Sequence, residues 1–307
     1  MHLPYKMRQK EYKQSFIPHL SGVRFYLDTW LENLLFCLTP MPKYGLRTAP
    51  GKETITVSLT TYPARINQAY VAVKSLMCQS IKADKIVLWL AESQFATAPL
   101  PAKFDRLIKR GLTVRYVDDL KSHKKYYYAL QEQKPDELVI TYDDDIIYEK
   151  DSIKKLILTH EKYPDCIVCN RGHKIEFDID GIRPYKSWKV RFGEGVDHPV
   201  MNIMPSTGNG CLYPYGVIPQ SAFDLNLCKQ NAWTADDIWM RFNSINNGVF
   251  AVRTQKEVAV LVNVFSSQKT ALRQINDEQN ENQKTVERLK RVFPEVEKKI
   301  SQLYREK

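Results

Sequence analysis

The stretch Ile140-Thr141-Tyr142-Asp143-Asp144-Asp145-Ile146-Ile147-Tyr148 decides how the rest of this 307-residue chain reads. An apolar, β-like run from Glu137 to Tyr142 ends in three consecutive carboxylates, and two more apolar residues follow at once. Carboxylates this close repel and raise one another's pKa unless a cation offsets them. A hard divalent metal is the simplest offset, because it prefers carboxylate oxygens and also takes those of a phosphate. Asp-rich stretches also make solvated turns or cap the next helix, as Asp151-Ser152 is placed to do. The strand before, the apolar pair after and similar units upstream favour a metal–diphosphate site at a strand end.

Upstream the same unit recurs. Thr54 to Leu59 reads as a strand, and Arg65 to Gln79 carries Ile66, Ala69, Tyr70, Val73, Leu76 and Met77 at helical spacing. Lys85 to Leu90 is a second strand, Phe104 to Arg110 a helix closed by Gly111, and Leu112 to Val117 a third strand. Tyr126 to Gln133 is helical, Glu137 to Tyr142 is the fourth strand, and Ser152 to Tyr163 is another helix. Strands alternating with helices at this pace predict an α/β fold with a mostly parallel, doubly wound sheet. In such sheets ligands sit beyond the carboxyl ends of the strands. Those ends carry Thr60-Thr61-Tyr62, Glu92, Asp118-Asp119 and Asp143 to Asp145.

Beyond residue 165 the pattern changes. Cys166 to Asp178 and Arg183 to Phe192 read as extended, and Met204 to Tyr215 as a Gly/Pro/aromatic loop. Pro219 to Gln230 and Ala235 to Asn246 read as helices, then Val249 to Thr254 and Glu257 to Val262 as strands. The charged C-terminal segment contains helical stretches from about Gln283 to Val292 and from Glu295. The expected organisation is a basic, aromatic N-terminal extension over 1–50 and a central α/β domain over 51–265, with a charged helical tail over 266–307.

The net charge of +10 gathers in the two terminal segments and around Lys121 to Lys125. Such a balance suits an anionic ligand, a nucleic acid or an acidic membrane surface. The six cysteines are scattered; Cys166 and Cys169 have CxxC spacing but no second pair, so reduced thiols in a cytoplasmic protein are expected. The N-terminus lacks the basic-apolar-small order of a secretory signal. Phe16 to Leu38 is interrupted by His19, Arg24, Asp28 and Glu32, too charged to span a bilayer; it suits docking on the protein's own core or lying at an interface. No strand leads into GxGxxG or GxxxxGK[ST], which argues against dinucleotide-dependent redox chemistry and P-loop nucleotidases. The histidine spacing gives no zinc centre, and no GxSxG elbow is present.

The segment Val57-Ser58-Leu59-Thr60-Thr61-Tyr62-Pro63-Ala64-Arg65, with Ser75-Leu76 and Gln79-Ser80 in the helix after it, resembles the opening of family-2-type bacterial glycosyltransferases. Asp143 to Asp145 fall where that family keeps an Asp-x-Asp motif, and Trp233-Thr234-Ala235-Asp236-Asp237-Ile238-Trp239 roughly where it keeps an acidic pair before a helix. The resemblance covers about residues 54–250, and it implies a catalytic domain over 51–265 with a nucleotide-binding half (51–150) and an acceptor half (151–265). It implies a GT-A-like fold, a nucleoside-diphosphate-sugar donor (a UDP-sugar being expected), a Mn2+ or Mg2+ ion and an inverting transfer to a glycan or lipid-linked acceptor. It also implies a metal at Asp145, with Asp143 supporting metal or ribose and Asp144 beside them. Lys121, Lys124 or Lys125 would add charge to the diphosphate, and Lys125 is taken as the substrate-binding one. Thr61 and Tyr62 would sit near nucleobase or ribose, and Glu92 or Asp119 would accept hydrogen bonds from them. Trp89-Leu90-Ala91-Glu92 departs from the Asp-rich turn usual there. Asn209 would bind sugar hydroxyls. Asp237, with Asp236 as rival, would be the base, although Thr234 could simply cap that helix. Flanking Trp233 and Trp239 suit a sugar-facing wall.

The expected function is thus sugar transfer in cell-surface polysaccharide synthesis, cytoplasmic and peripheral at the inner membrane face. Two alternatives remain open at this point. A sugar-phosphate nucleotidyltransferase would need a Gly-rich basic loop where Thr60 to Arg65 has no glycine. A nucleic-acid-binding protein would need a basic stripe with aromatics across one face, whereas here the basic excess is terminal and the central crevice acidic; no nucleic-acid partner is expected.

Overall fold

The computed structural model describes residues 29–49, 51–190, 193–256, 262–265 and 280–305. After a helix over residues 29–38 (α1) come β1 (Thr54–Thr61), α2 (Ile66–Met77), β2 (Lys85–Ala91), the short α3 (Glu92–Phe95) and α4 (Asp105–Ile108), and β3 (Leu112–Val117). Then follow α5 (Lys124–Gln131), β4 (Glu137–Tyr142), β5 (Ile146–Ile147), α6 (Ser152–His160), β6 (Ile167–Cys169), β7 (Gly172–Lys174), β8 (Phe177–Asp178) and β9 (Gly181–Ile182). The second half continues with β10 (Ile203–Pro205), β11 (Asn209–Tyr213), α7 (Leu225–Asn231), α8 (Asp236–Asn246), β12 (Ala251–Arg253) and β13 (Val262–Asn263). Two helices, α9 (Glu281–Val292) and α10 (Glu295–Arg305), close the chain.

Seven strands form the central sheet in the order β12-β6-β11-β4-β1-β2-β3. All run parallel except β11, which is antiparallel to both β4 and β6. The α/β, mostly parallel architecture expected from the sequence is therefore present. Successive strand residues point to opposite faces, and the core divides accordingly. Ile86, Leu88 and Leu90 join Leu138 and Ile140 beneath α2 and α6, while Val87, Trp89 and Val139 join the side covered by α5 and α8. The C-terminal helices complete that second side through Val286, Leu289, Phe293, Val296 and Ile300. Helix α1 is tied down differently: buried Lys74 of α2 donates to the Phe36 and Cys37 carbonyls (3.0 and 3.2 Å), a cation at a helix C-terminus. Asn33 also brackets the 263–265 backbone, through the Asn263 carbonyl and the Phe265 N–H.

Three expectations need correction. Met204 to Tyr215 is no loop; it holds β10 and the interior strand β11. Gly210, at φ +90°, sits at a register shift where β11 pairs with β4, so its glycines mark a bulge rather than a turn between elements. Arg183 to Phe192 forms no strand over the described residues, which end at 190; a 3-10 turn at Tyr185–Ser187 follows Pro184, and only Lys189 bridges to Lys174. Pro219 to Gln230 is split by Asp224, whose carboxylate caps α7 through the Leu227 N–H. Of the expected strand from Glu257, and of the segments 1–28 and 266–279, the parts before Val262, up to residue 28 and up to residue 279 lie outside the described residues.

Candidate active site

The carboxyl ends of β1 and β4 and the start of α8 meet at one edge of the sheet. Gly208, just before antiparallel β11, brings its backbone to the end of β4: the Asp143 N–H donates to the Gly208 carbonyl at 2.9 Å. The Tyr148 hydroxyl accepts from the same N–H (2.8 Å) and donates to the Gly208 carbonyl (2.6 Å). A Cβ at position 208 would lie 1.6 Å from Asp143 Oδ2, so any side chain there would displace the Asp143 carboxylate. Next door, the Thr141 hydroxyl donates to the Thr207 carbonyl (2.6 Å), which holds the loop to β4.

The three aspartates fall to different partners. Asp143, the most exposed, pairs with Lys125 Nζ at 2.7 Å. Buried Asp144 accepts from the Thr61 hydroxyl (2.5 Å) and pairs with Arg65 (3.1 Å). Arg65 reaches Asp145 with the same nitrogen, also at 3.1 Å. Burial raises the pKa of Asp144, against the pull of Arg65 and Thr61. Burial, then Asp143 and Asp144, push the Asp145 carboxyl up to about 7, although Arg65 and Lys125 pull the other way. Burial alone would lower Arg65; Asp144 and Asp145 raise it instead.

Across the crevice, α8 begins with its own acidic pair. Its N-cap position is Ala235, one residue after Thr234, and Ala235 carries no capping side chain. Asp236 takes Lys125 Nζ at 3.0 Å and the Thr207 hydroxyl at 2.9 Å. Asp237 accepts the Thr207 N–H at 2.9 Å, with the Thr207 hydroxyl also close to the same Oδ1. Burial works to raise Asp236, but Lys125, His123 and the hydrogen bonds this carboxylate accepts together outweigh it and hold that carboxyl well below the usual range. Asp237 lacks a comparable cation; burial and then Asp236 push it up to about 7. Burial should lower Lys125, yet Asp143, Asp236 and Asp237 raise it well above a normal lysine. One buried ammonium thus joins the two acidic groups.

The other expected residues sort themselves around this network. Tyr62 lies beside it, with the Arg65 guanidinium 5.8 Å from its ring. Asn209 opens β11 opposite Tyr142, and its buried Oδ1 has no hydrogen-bond partner among the described residues. Asp119 stands apart at the end of β3, bound to Lys124 (2.7 Å), Gln94 (2.7 Å) and the Lys121 N–H (2.9 Å). Burial raises its pKa, but those hydrogen bonds prevail and lower it. Glu92 is exposed at the end of β2 and takes no part in the contacts above. Of the three lysines, only Lys125 reaches the Asp143–Asp237 network. Trp239 is no wall: it is fully buried, its indole N–H donates to the Ala222 carbonyl, and it packs on Phe293. Trp233 stays partly exposed and stacks on buried His123 at 5.5 Å.

Arg65, Thr207, Gly208 and Tyr148 are the members that sequence reasoning missed. Arg65 had a usable signal, four residues past the end of a strand whose neighbours end in acids. The others act largely through backbone proximity, which needs the β11 pairing to become visible.

A scan against protein families finds no match for this chain, and a search of curated proteins finds none either. Among solved structures, the chain is similar to a mannosyltransferase from Pyrobaculum calidifontis in complex with GDP-Man and Mn2+, at 15% identity and a TM-score of 0.45, covering 87% of this chain and 72% of that one. It is also similar to TarS from S. aureus, at 15% identity and a TM-score of 0.41, covering 65% of this chain and 58% of that one. A 4-diphosphocytidyl-2C-methyl-D-erythritol synthase from Anaerococcus prevotii matches at 15% identity and a TM-score of 0.41, covering 71% and 93%. All three overlays are loose.

Proposed function

We propose that this protein is a glycosyltransferase that moves a sugar from a nucleoside-diphosphate donor to an acceptor hydroxyl with inversion. The observation that carries the reading is the charge balance of the crevice: among the described residues, Asp143, Asp144, Asp145 and Asp236 form ion pairs with two cations, Lys125 and Arg65, which also serve neighbouring Asp237. Two of the five carboxyls respond by rising to about 7. Such a site is short of positive charge, and the strand-end position suits a ligand that brings it. Among the described residues no three His, Cys, Asp or Glu side chains form a metal cage. Asp145 and Asp143 fit the other arrangement, in which Mn2+ or Mg2+ takes one or two carboxylates and completes its shell with phosphate oxygens. Bound there, the ion supplies Lewis-acid stabilisation of the departing diphosphate.

The chain's own residues have the following roles. Asp237 takes the proton of the acceptor hydroxyl as that oxygen bonds to the anomeric carbon and the bond to the diphosphate breaks. Its Oδ1 is held by Thr207, which fixes the carboxylate, and a pKa near 7 matches base work at neutral pH. Asp236, held ionised by Lys125, positions that lysine rather than exchanging a proton. Thr61 and Arg65 hold Asp144 as a brace beneath Asp145. Tyr62 and Asn209 line the approach to ribose and sugar. Glu92 and Asp119, at neighbouring strand ends, would meet the nucleobase end of the donor. A UDP-sugar donor and a glycan or lipid-linked acceptor of cell-surface polysaccharide are the finer parts of this proposal.

Peripheral membrane association belongs to the same proposal. Trp30, Leu31, Leu34, Leu35 and Leu38 of α1 are 41–73% exposed at helical spacing, an apolar face that suits a bilayer interface. No helix among the described residues is long and apolar enough to cross a membrane.

A panel of nucleoside-diphosphate sugars tests the reading, scored by Mn2+-dependent hydrolysis and thermal stabilisation for the parent and Asp145→Ala. A donor-dependent signal lost in the variant supports it. Silence across the whole panel, or pyrophosphate release from a nucleoside triphosphate and sugar phosphate, would overturn it.

A further inference from the structure

Trp233 lies three residues before Asp236, and its indole is closed on one side by His123, stacked at 5.5 Å and 12°. Burial lowers the His123 pKa, leaving a neutral ring beneath the indole. The same indole is approached by two ammonium groups: Lys121 Nζ is 5.7 Å and Lys229 Nζ 5.5 Å from the ring centroid. They arrive from separate elements, Lys121 from the turn after β3 and Lys229 from α7. Lys121 holds the left-handed backbone conformation (φ 51°), fixed by its N–H bond to Asp119. Both side chains belong to exposed residues, and neither forms an ion pair with a described carboxylate. Nearby Asp119 is already taken by Lys124.

Two like charges converging on one ring repel each other, and cation–π attraction to a single indole offsets only part of that cost. Among the described residues no anion answers this pair of charges. We propose that Trp233, Lys121 and Lys229 form an acceptor subsite for a phosphate group. A phosphate carries close to two charges and three acceptor oxygens, which suits two separate ammonium donors better than a monovalent carboxylate does. The indole edge between them meets the sugar or carbon skeleton attached to that phosphate. The subsite adjoins Asp236 and Asp237 through the short 233–235 segment, so an acceptor anchored here presents a hydroxyl toward the base. This deepens the sugar-transfer reading and rests on it for the word acceptor, but the anion site itself does not.

Calorimetric titration of the full chain with glycerol 3-phosphate, against glycerol, tests the site without donor or transfer. It can therefore fail while sugar transfer stands, and succeed while sugar transfer fails. The parent is expected to bind the phosphate ester, with affinity falling as salt rises, and to ignore glycerol. K121Q/K229Q should weaken that binding at least tenfold, and Trp233→Phe should keep most of it. Equal binding by K121Q/K229Q and parent, or no binding by the parent, overturns the proposal. Polyprenyl phosphate in detergent against a soluble sugar phosphate separates the two sources: tighter binding of the first assigns a lipid-linked acceptor, of the second a free phosphorylated one. If neither binds, the subsite is not for phosphate.

Discussion

At the end of β4, Arg65 divides itself between Asp144 and Asp145, whereas at the start of α8 Lys125 settles on Asp236 and leaves Asp237 to Thr207. In the first group every carboxylate touches a cation and Asp145 is still pushed up to about 7, because burial, added to two neighbouring acids, outweighs Arg65 and Lys125. In the second group one acid is held ionised and its neighbour is raised. The first pattern calls for added positive charge; the second creates an ionised brace beside a proton acceptor. The same physics, burial set against a limited number of cations, therefore suits two different tasks.

Removing the shared cation should break the comparison most completely. Lys125→Met leaves Asp143 and Asp236 without their ammonium; breaking a buried pair costs about 3–5 kcal/mol. Denaturant melts should show that loss, and transfer should disappear with it. Next comes Asp237→Asn, which keeps the shape but not the base. Transfer should fall ~10²–10⁴-fold, while donor binding by calorimetry stays near that of the parent. Full activity would move the role to Asp236 or elsewhere. Gly208→Ala should follow, because its Cβ meets Asp143 at 1.6 Å and the carboxylate must leave. A stability loss of ~1–3 kcal/mol is expected for such overpacking, together with weaker Mn2+ dependence.

The smallest expected effect is on pH. Asp145 and Asp237 have folded-state pKa values raised to about 7, so the folded protein holds these protons more tightly than the unfolded chain. Stability from this source is present at low pH and is lost as pH rises from the ordinary carboxylate range through 7. Chelator-treated protein should therefore show a melting temperature at least ~2 °C lower at pH ~8 than at pH ~5.5. Asp145→Asn should flatten that slope.

Much of the first half was legible because its strands obey a local rule. Leu112–Val117 and Glu137–Tyr142 fall where their apolar runs place them, and Thr54–Thr61, Lys85–Ala91 and the helices between differ from expectation by a few residues. The site's acids were legible for the same reason: they sit at strand ends. What composition hid was β11, whose Gly-Asn-Gly-Cys start resembles a turn yet runs between β4 and β6. Only that pairing brings Thr207 to Asp236 and Gly208 to Asp143. Trp233 and Trp239 teach the same lesson, since of these identical residues flanking one acidic pair the first stays partly exposed beneath two lysines and the second lies in the core. Spacing along α8 cannot tell which side its partners α9 and α10 will cover.

The central claim is that the Asp143–Asp145 group is short of a divalent cation that arrives with a diphosphate. Electron paramagnetic resonance of Mn2+ titrated with UDP present and absent tests this most directly, for the parent and Asp145→Ala. The account predicts one bound Mn2+ per parent chain, tightened by UDP, and binding lost in the variant. Equal Mn2+ binding by both proteins, or none by the parent with UDP present, would contradict it.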